Sequence, residues 1–351
     1  TCNAFIGMMR VADYKKFFRD LFVCNSLEHA DSLRIGSTIK MITSWIDMGN
    51  PNEYKKAVEE TQPYDFTKPS ELTWFCNDKV IKWWHDSDVV AKKHTRSLYN
   101  LPVLPDGIRR SNSMLSYDMV EGETLYSRQD PALFSSLLSW LKNDVWVPIN
   151  KDISRACESF YYTKTVQRVE SFLARYDNEV PDIKTVNGYR VKEYRDLLTM
   201  VDWDLLFNEN RSVWIHGDLH FDNLVVTPDN KFKVIDWRQE FGNEVPCGDI
   251  YYDLAKMMGG FIIDYSKIKM NDFEYSIVGK DVTIRVPSAH DGDYYVNALM
   301  NFVNDMGLND KKIKLLVPLI FWNMAPLHTP PFDMFLWSLG LRMLSEVVDD
   351  R

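Results

Sequence analysis

The sequence predicts an α+β fold with a few strands first and mainly helices afterwards. Strand-like apolar runs cluster at 72–76, 79–84 and 113–121, and three short strand-like runs follow within 213–237. Helical periodicity dominates the rest of the chain beyond residue 122. Its clearest stretches are 130–145, 154–176, 191–207, 293–306 and 332–348.

Composition narrows the possible classes. The 351 residues predict two or three units, and the net charge of −9 without long basic runs argues against nucleic acid as a partner. The longest apolar run, Leu315–Trp322, contains a proline and is too short to span a membrane. The five cysteines form no C-x-x-C pair, which favours a reducing cytoplasm.

The segment Val213–Trp237 contains the strongest chemical signal. Two β-branched runs flank the turn residues 227–231, so they are expected to pair as a hairpin. This pairing places Asn223 opposite Asp236 at the open end of the hairpin, with Asp218 on the loop that leads into it. Three oxygen-bearing side chains then meet at one edge, and such hard ligands suit Mg²⁺ with bound phosphates.

This segment resembles the catalytic core of the aminoglycoside phosphotransferase and choline kinase superfamily. The motif H-G-D-L-H-F-D-N is followed thirteen residues later by I-D-W, and G-D-I-Y-Y-D-L-A stands at 248–255. The resemblance implies a bilobal protein-kinase-like fold with a small mixed β N-lobe at 63–121 and a mainly helical C-lobe at 122–351. It also implies that Asp218 orients the acceptor hydroxyl and that Asn223 and Asp236 hold Mg²⁺.

The same resemblance implies supporting roles for two further residues. His216 belongs to the catalytic motif, and Asp249 is expected to brace the catalytic loop through backbone hydrogen bonds. Asp253, four residues later, is expected to be a surface or helix-packing residue.

Residues 1–62 do not resemble the start of a kinase. The piece W-I-D-M-G-N-P at 45–51 resembles the closing segment of sugar-nucleotide and phosphocholine nucleotidyltransferases, a family in which the motif's Asp, here Asp47, helps to bind metal. That family's Gly-rich N-terminal part is absent from this sequence. We therefore expect a short α/β remnant without catalysis of its own; a kinase-specific extension is the alternative.

The predicted small lobe departs from the kinase pattern. Lys82, on a predicted strand, stands where kinases place the lysine that contacts the α- and β-phosphates; a solvated strand edge is the other interpretation. The runs 72–76 and 79–84 are joined by Asn77-Asp78, which predicts a tight hairpin. No Gly-rich loop precedes this hairpin, so 67–71 would have to cover the phosphates. The helix that follows, 88–99, has no Glu to pair with Lys82.

The adenine and acceptor sites are predicted from position. Met119, Val120 and Glu121 lie where a hinge would present backbone groups to adenine, and Gly122 permits a bend after them. In small-molecule kinases the last helices form a wall of the acceptor pocket. The candidates in this sequence are Trp322, His328, Asp333 and Trp337.

Together these features predict an ATP- and Mg²⁺-dependent kinase that phosphorylates a hydroxyl of a small molecule, a sugar or an amino alcohol such as choline. Joined to the nucleotidyltransferase-like segment, it would serve cell-envelope polysaccharide synthesis. The alternative is a pseudokinase or nucleotide-binding module without turnover, which the missing glycines and the missing helix Glu favour.

Overall fold

A computed structural model describes residues 70–76, 78–128, 130–177 and 180–350. The nucleotidyltransferase-like segment 1–62, with Asp47, lies outside these residues. Of the stretch expected to cover the phosphates, only residues 70 and 71 lie within them.

The described chain begins with a four-stranded antiparallel sheet. Its strands, in the spatial order β1-β2-β4-β3, are β1 (Glu71–Cys76), β2 (Lys79–Trp84), β3 (Arg109–Ser111) and β4 (Met114–Asp118). Cys76 pairs with Lys79, as expected for the predicted tight hairpin.

One face of this sheet is covered by helix α1 (Ser87–Ser97), which begins after an Asp86 side chain that accepts the Asp88 amide at 2.9 Å. Strand β2 alternates so that Val80, Lys82 and Trp84 all point to the covered face. Lys82 is only 6% exposed, which excludes a solvated strand edge.

The chain then leaves the sheet and joins the predicted hairpin. After Gly122, the short strand β5 (Glu123–Thr124) pairs with β9 (Leu224–Val226), which pairs in turn with β10 (Phe232–Val234). The register differs by one residue from the prediction: Ile235, rather than Asp236, lies opposite Asn223, and its amide donates to the Asn223 carbonyl at 3.0 Å.

The remainder is mainly helical, which confirms the predicted fold class. The predicted helix 191–207 is two helices, because the Asp202 side chain accepts the Leu205 amide at 3.1 Å and starts a new one. The helices are α2 (Pro131–Trp140), α3 (Ser154–Cys157), α4 (Lys164–Arg175), α5 (Tyr194–Met200), α6 (Trp203–Asn208), α7 (Ile250–Ile262), α8 (Tyr265–Lys269), α9 (Gly292–Asp305), α10 (Asp310–Met324) and α11 (Phe332–Asp349).

Two helical segments run without a break. A π-helical stretch, Glu158–Thr163, links α3 to α4, so 154–175 runs as one long helical segment, as predicted. Helix α7 does not end at the paired glycines Gly259 and Gly260. It continues to Ile262, with Gly260 lying against Tyr126 and Gly259 against Phe321.

Two features were not predicted. The first is a second four-stranded sheet, ordered β12-β13-β6-β7, whose strands are β6 (Thr185–Val186), β7 (Tyr189–Arg190), β12 (Glu274–Val278) and β13 (Asp281–Arg285). The second is helix α10, which keeps its course through Pro318 and is buried along most of its length. No helix among the described residues is long and apolar enough to cross a membrane.

We predict that Gly122→Ala destabilises the protein strongly. Gly122 has a φ of +151°, and a Cβ there would overlap the Val226 carbonyl oxygen. This backbone region is essentially restricted to glycine, so the cost should exceed about 2 kcal/mol in urea unfolding.

Gly188→Ala is the control, because Gly188 also has a positive φ of +77° but nothing within 4 Å of its Cβ position. Its cost should stay near 1 kcal/mol, and equal losses would contradict the steric argument.

Candidate active site

The predicted catalytic loop, which contains His216, Gly217 and Asp218, follows strand β8 (Ser212–Val213). This strand pairs with β11 (Gly248–Asp249). Asp253, on α7, holds this loop. Its Oδ2 accepts the His216 amide at 2.8 Å, and its Oδ1 accepts the Gly217 amide at 2.7 Å. The indole of Trp146 donates to Oδ2 at 3.1 Å. A single buried carboxylate thus satisfies two loop amides that would otherwise be buried without partners.

This arrangement corrects the expected roles of Asp249 and Asp253. Asp253 is fully buried rather than a surface residue, and it is the brace of the catalytic loop. Asp249 gives support elsewhere. Its carboxylate pairs with the buried Lys312 at 2.6 Å and accepts the Tyr161 hydroxyl at 2.8 Å and the Arg211 amide at 3.2 Å.

His216 is a fixed structural element of the loop. Its Nδ1 accepts the Asp218 amide at 3.2 Å, so its Nε2 carries the proton and donates to the Ile235 carbonyl at 2.6 Å. Burial lowers the pKa of His216 to about 4. The imidazole is therefore neutral at physiological pH and ties the loop to the strand that leads to Asp236.

Asp218 is held by a lysine that the sequence analysis missed. Lys256, one turn after Asp253 on α7, places its Nζ 2.7 Å from Asp218 Oδ1. Burial opposes ionisation of Asp218, but Lys256 and neighbouring His220 hold its pKa well below the usual range. The i, i+3 spacing of Asp253 and Lys256 was the available signal, since it places both on one helix face.

Asn223 and Asp236 lie at the open end of the hairpin. Asn223 donates its Nδ2 to the Asp218 carbonyl at 2.9 Å, which leaves its amide oxygen for another partner. Asp236 adopts a φ of +61°, an uncommon conformation for a non-glycine residue. Burial opposes ionisation of Asp236, but Lys82 and Lys93 lower its pKa, so it remains a carboxylate.

Lys82 contacts the site from the sheet. Its Nζ forms an ion pair with Asp236 and lies 3.5 Å from Glu71 Oε1. The carboxylate next to Lys82 therefore comes from the neighbouring strand, whereas the covering helix supplies none. In its place α1 contributes Lys93, which donates to the Trp237 carbonyl, and burial lowers the pKa of Lys93 to about 8.

The predicted hinge contacts need one correction. The amide of Met119 donates to the Asp78 carbonyl at 2.8 Å, so that amide is already engaged within the sheet. Met119, Val120 and Glu121 line a cavity of about 240 Å³ together with Pro228 of the hairpin turn and neighbouring residues.

The predicted acceptor-pocket residues do not line the site. Trp322 and Trp337 stack at 5.1 Å in the core and are at most 1% exposed. Asp333 is fully buried, pairs with Arg175 at 3.0 Å and accepts the Tyr176 hydroxyl at 2.7 Å. The His328 ring packs against Phe332 at 4.9 Å. These aromatic and polar residues stabilise the packing of α10 and α11.

The geometry thus gathers a buried lysine, two carboxylates and an amide around one loop and one hairpin end. Among the described residues no cluster of three or more His, Cys, Asp or Glu could hold a metal by itself. Asn223 and Asp236 form a smaller oxygen set. Such a set suits Mg²⁺, which is usually bound by one or two protein oxygens together with substrate phosphates and water.

Comparison with known proteins gives one matching family model and several solved structures that resemble the chain. Residues 150–267 match the model of the phosphotransferase enzyme family (APH). No curated protein matches the sequence.

Solved structures that resemble the chain include the choline kinase LicA from Streptococcus pneumoniae, with 10% identity over 83% of this chain and 97% of that one and a TM-score of 0.47. Another is a choline/ethanolamine kinase family protein from Mesorhizobium loti, with 8% identity over 81% and 91% and a TM-score of 0.47. A third is an ethanolamine kinase from Plasmodium vivax, with 13% identity over 92% and 93% and a TM-score of 0.42.

The match to the phosphotransferase enzyme family spans residues 150–267, which contain Asp218, Asn223 and Asp236. This family match indicates a phosphotransferase of the small-molecule kinase class.

We predict that replacing Asp253 changes how stability depends on pH. Burial raises the pKa of Asp253 from 3.8 to about 6. Between these values the native state binds more protons than the unfolded state, so this group lowers stability as pH rises towards 6 and has a constant effect above it. Urea unfolding of the parent and Asp253→Asn from pH 4.5 to 7 should show the parent losing on the order of 2 kcal/mol relative to the variant. A difference that does not vary with pH would contradict the raised pKa.

Proposed function

We propose that this protein transfers the γ-phosphoryl group of ATP, with Mg²⁺, to a hydroxyl of a small molecule. The observation that carries this proposal is the placement of Asp218, held by Lys256, beside Asn223 and Asp236 at the end of one hairpin. Phosphoryl transfer depends on positioning and charge stabilisation more than on covalent catalysis, and this set of side chains is sufficient for both.

In the proposed reaction the acceptor oxygen attacks the γ-phosphorus. A new oxygen–phosphorus bond forms, the bond between the γ-phosphorus and the β,γ-bridging oxygen breaks, and ADP leaves with that bond's electron pair. Asp218 orients the acceptor and takes its hydroxyl proton. The Lys256 ammonium keeps Asp218 ionised before the reaction, since the two groups lie 2.7 Å apart. Lys82 reaches the phosphates from β2 and stabilises their negative charge.

The residues present fit Mg²⁺. Asn223 and Asp236 would hold it, since the Asn223 amide nitrogen is already engaged with the Asp218 carbonyl and Asp236 is ionised. When bound, the ion neutralises charge on the phosphates. The hinge candidates to meet adenine are Met119 through its carbonyl, because its amide is engaged, and Val120 and Glu121 through their backbone groups.

The boundaries of the lobes and the class of acceptor are proposed from the sequence. We propose 63–121 and 122–351 as the two lobes and 1–62 as the nucleotidyltransferase-like remnant. The sequence resemblance favours a sugar or an amino alcohol as the acceptor, and the product would serve the synthesis of a cell-envelope polysaccharide precursor. We assign the protein to the cytoplasm because ATP is supplied there and Cys76, Cys157 and Cys247 are free thiols.

A pseudokinase is the second candidate. The observation that favours it is the small lobe, in which α1 places Lys93 rather than a Glu near Lys82 and Asp236. A pseudokinase would bind nucleotide without phosphorylating any acceptor.

We predict that Asp218→Asn and Asp236→Asn have different effects. Asp236 would contact the metal and the phosphates, so its loss should weaken binding of Mg²⁺ and ATP as well as turnover. Asp218 would meet only the acceptor, so Asp218→Asn should leave nucleotide affinity within a few-fold and reduce turnover by roughly 10²–10⁴-fold. Calorimetric titration measures the nucleotide affinity, and ADP release measures turnover. Equal losses of nucleotide affinity in both variants would refute these roles, and a parent without turnover on any acceptor would favour the pseudokinase.

We predict that Lys82→Met weakens binding of a non-hydrolysable ATP analogue with Mg²⁺ by about 10-fold or more, because a buried cation next to the phosphates is lost. Lys79→Met is the matched control. Lys79 lies on the same strand and also forms an ion pair, with Asp118, but its side chain is 47% exposed. The control should change affinity less than 2-fold, by roughly the small effect of a surface ion pair. The same loss in both variants would place the phosphate contact elsewhere on β2.

A further inference from the structure

A cluster of four cations lies beside the catalytic loop, on the side of α4 and α7. Its members are Lys164, Arg168, Arg238 and Lys256. Lys256 contacts Asp218 directly, and Arg238 donates its Nε to the carbonyl of Gly217, the preceding residue, at 3.0 Å. The cluster therefore lies next to the carboxylate proposed to receive the acceptor's proton.

Aromatic rings bring two of these cations together. The Lys164 ammonium lies 3.9 Å from the centre of the Phe160 ring and 5.9 Å from that of Tyr252. The Arg238 guanidinium lies 5.2 Å and 5.9 Å from the same two ring centres. Arg168 stands one turn after Lys164 on α4, so it extends the same face.

The charges in this cluster are not balanced. Lys256 alone of the four forms an ion pair with a carboxylate in the described part of the chain. Burial and repulsion by Arg238, Arg168 and Lys256 hold the pKa of Lys164 well below its usual range. A concentration of partly buried cations is unfavourable unless something stabilises it, and the ring contacts do so only in part.

The same contacts disfavour a cationic ligand. Quaternary ammonium groups are commonly recognised by the faces of aromatic rings. Here the faces of Phe160 and Tyr252 already carry Lys164 and Arg238. A choline-like acceptor would find its aromatic partners occupied and would meet like charges.

We propose that the acceptor is a hydroxyl compound that carries an anionic group, a carboxylate or a phosphate, bound by Lys164, Arg168 and Arg238 while its hydroxyl faces Asp218. This proposal rests on the proposed function and names the acceptor class of the same site. The anion balances the cluster and fixes the orientation of the hydroxyl towards Asp218. A sugar acid or sugar phosphate fits this description; choline and ethanolamine do not.

Binding of four probes to the full chain tests the proposal, in the presence of Mg²⁺ and a non-hydrolysable ATP analogue. Glucose is the neutral probe, glucuronate and glucose 6-phosphate carry the two kinds of anion, and choline is the cation. Calorimetry should show at least one anionic probe binding about 10-fold or more tighter than glucose, with choline weakest. The stronger of the two anionic probes identifies the group.

Variants then locate the binding site. Lys164→Met and Arg168→Met should each reduce affinity for the tighter anionic probe about 10-fold and leave glucose affinity nearly unchanged. Arg155→Met is the control, since Arg155 is an exposed cation on the same long helical segment. Circular dichroism and unchanged affinity for the ATP analogue confirm that each variant is folded.

Several results would overturn the inference. They are tighter binding of glucose or choline, equal or unmeasurable binding of all four probes, and anion affinity that does not depend on Lys164 and Arg168. The proposed function fails separately. If ADP forms on a neutral or cationic acceptor and depends on Asp218, the kinase stands and the anionic acceptor is wrong. If an anionic probe binds through the cluster but no acceptor is phosphorylated, the anion site stands and turnover is wrong.

Discussion

The buried carboxylate of Asp253 is the constraint on which the site depends. It accepts the amides of His216 and Gly217, which lie in the interior where water cannot replace a lost partner. Because those amides are fixed, the next residue, Asp218, has a defined position above α7. Lys256 on the same helix then pairs with it at 2.7 Å. One face of α7 thus holds the backbone of the loop and keeps the Asp218 side chain ionised.

The small sheet is joined to this loop by cations of α1. Arg96 is fully buried, donates to the Ile215 carbonyl, and its own carbonyl accepts the Trp214 indole at 3.1 Å. Lys93 donates to the Trp237 carbonyl in the same way. One helix therefore fixes the carbonyl of the residue before His216 and that of the residue after Asp236. This linkage uses charge-assisted hydrogen bonds from a helix that lacks a Glu to pair with Lys82.

Net charge and local charge differ in this protein. The chain carries a net charge of −9. Around Asp218, however, Lys164, Arg238 and Lys256 come together from three separate parts of the chain. Interactions between charges weaken with distance and with screening by salt, so the residues that line a site matter more for its ligand than the overall sum.

The sequence by itself determined the local elements: the paired strands of the small sheet, the hairpin around Asn223 and Asp236, and most helices. These follow from side-chain periodicity and turn residues, which act over a few positions. Only the tertiary structure decided that Asp253, not Asp249, braces the loop, that Lys256 holds Asp218, and that Trp322 and Trp337 belong to the core. Burial and partners depend on which distant elements pack together, and no local pattern specifies that packing.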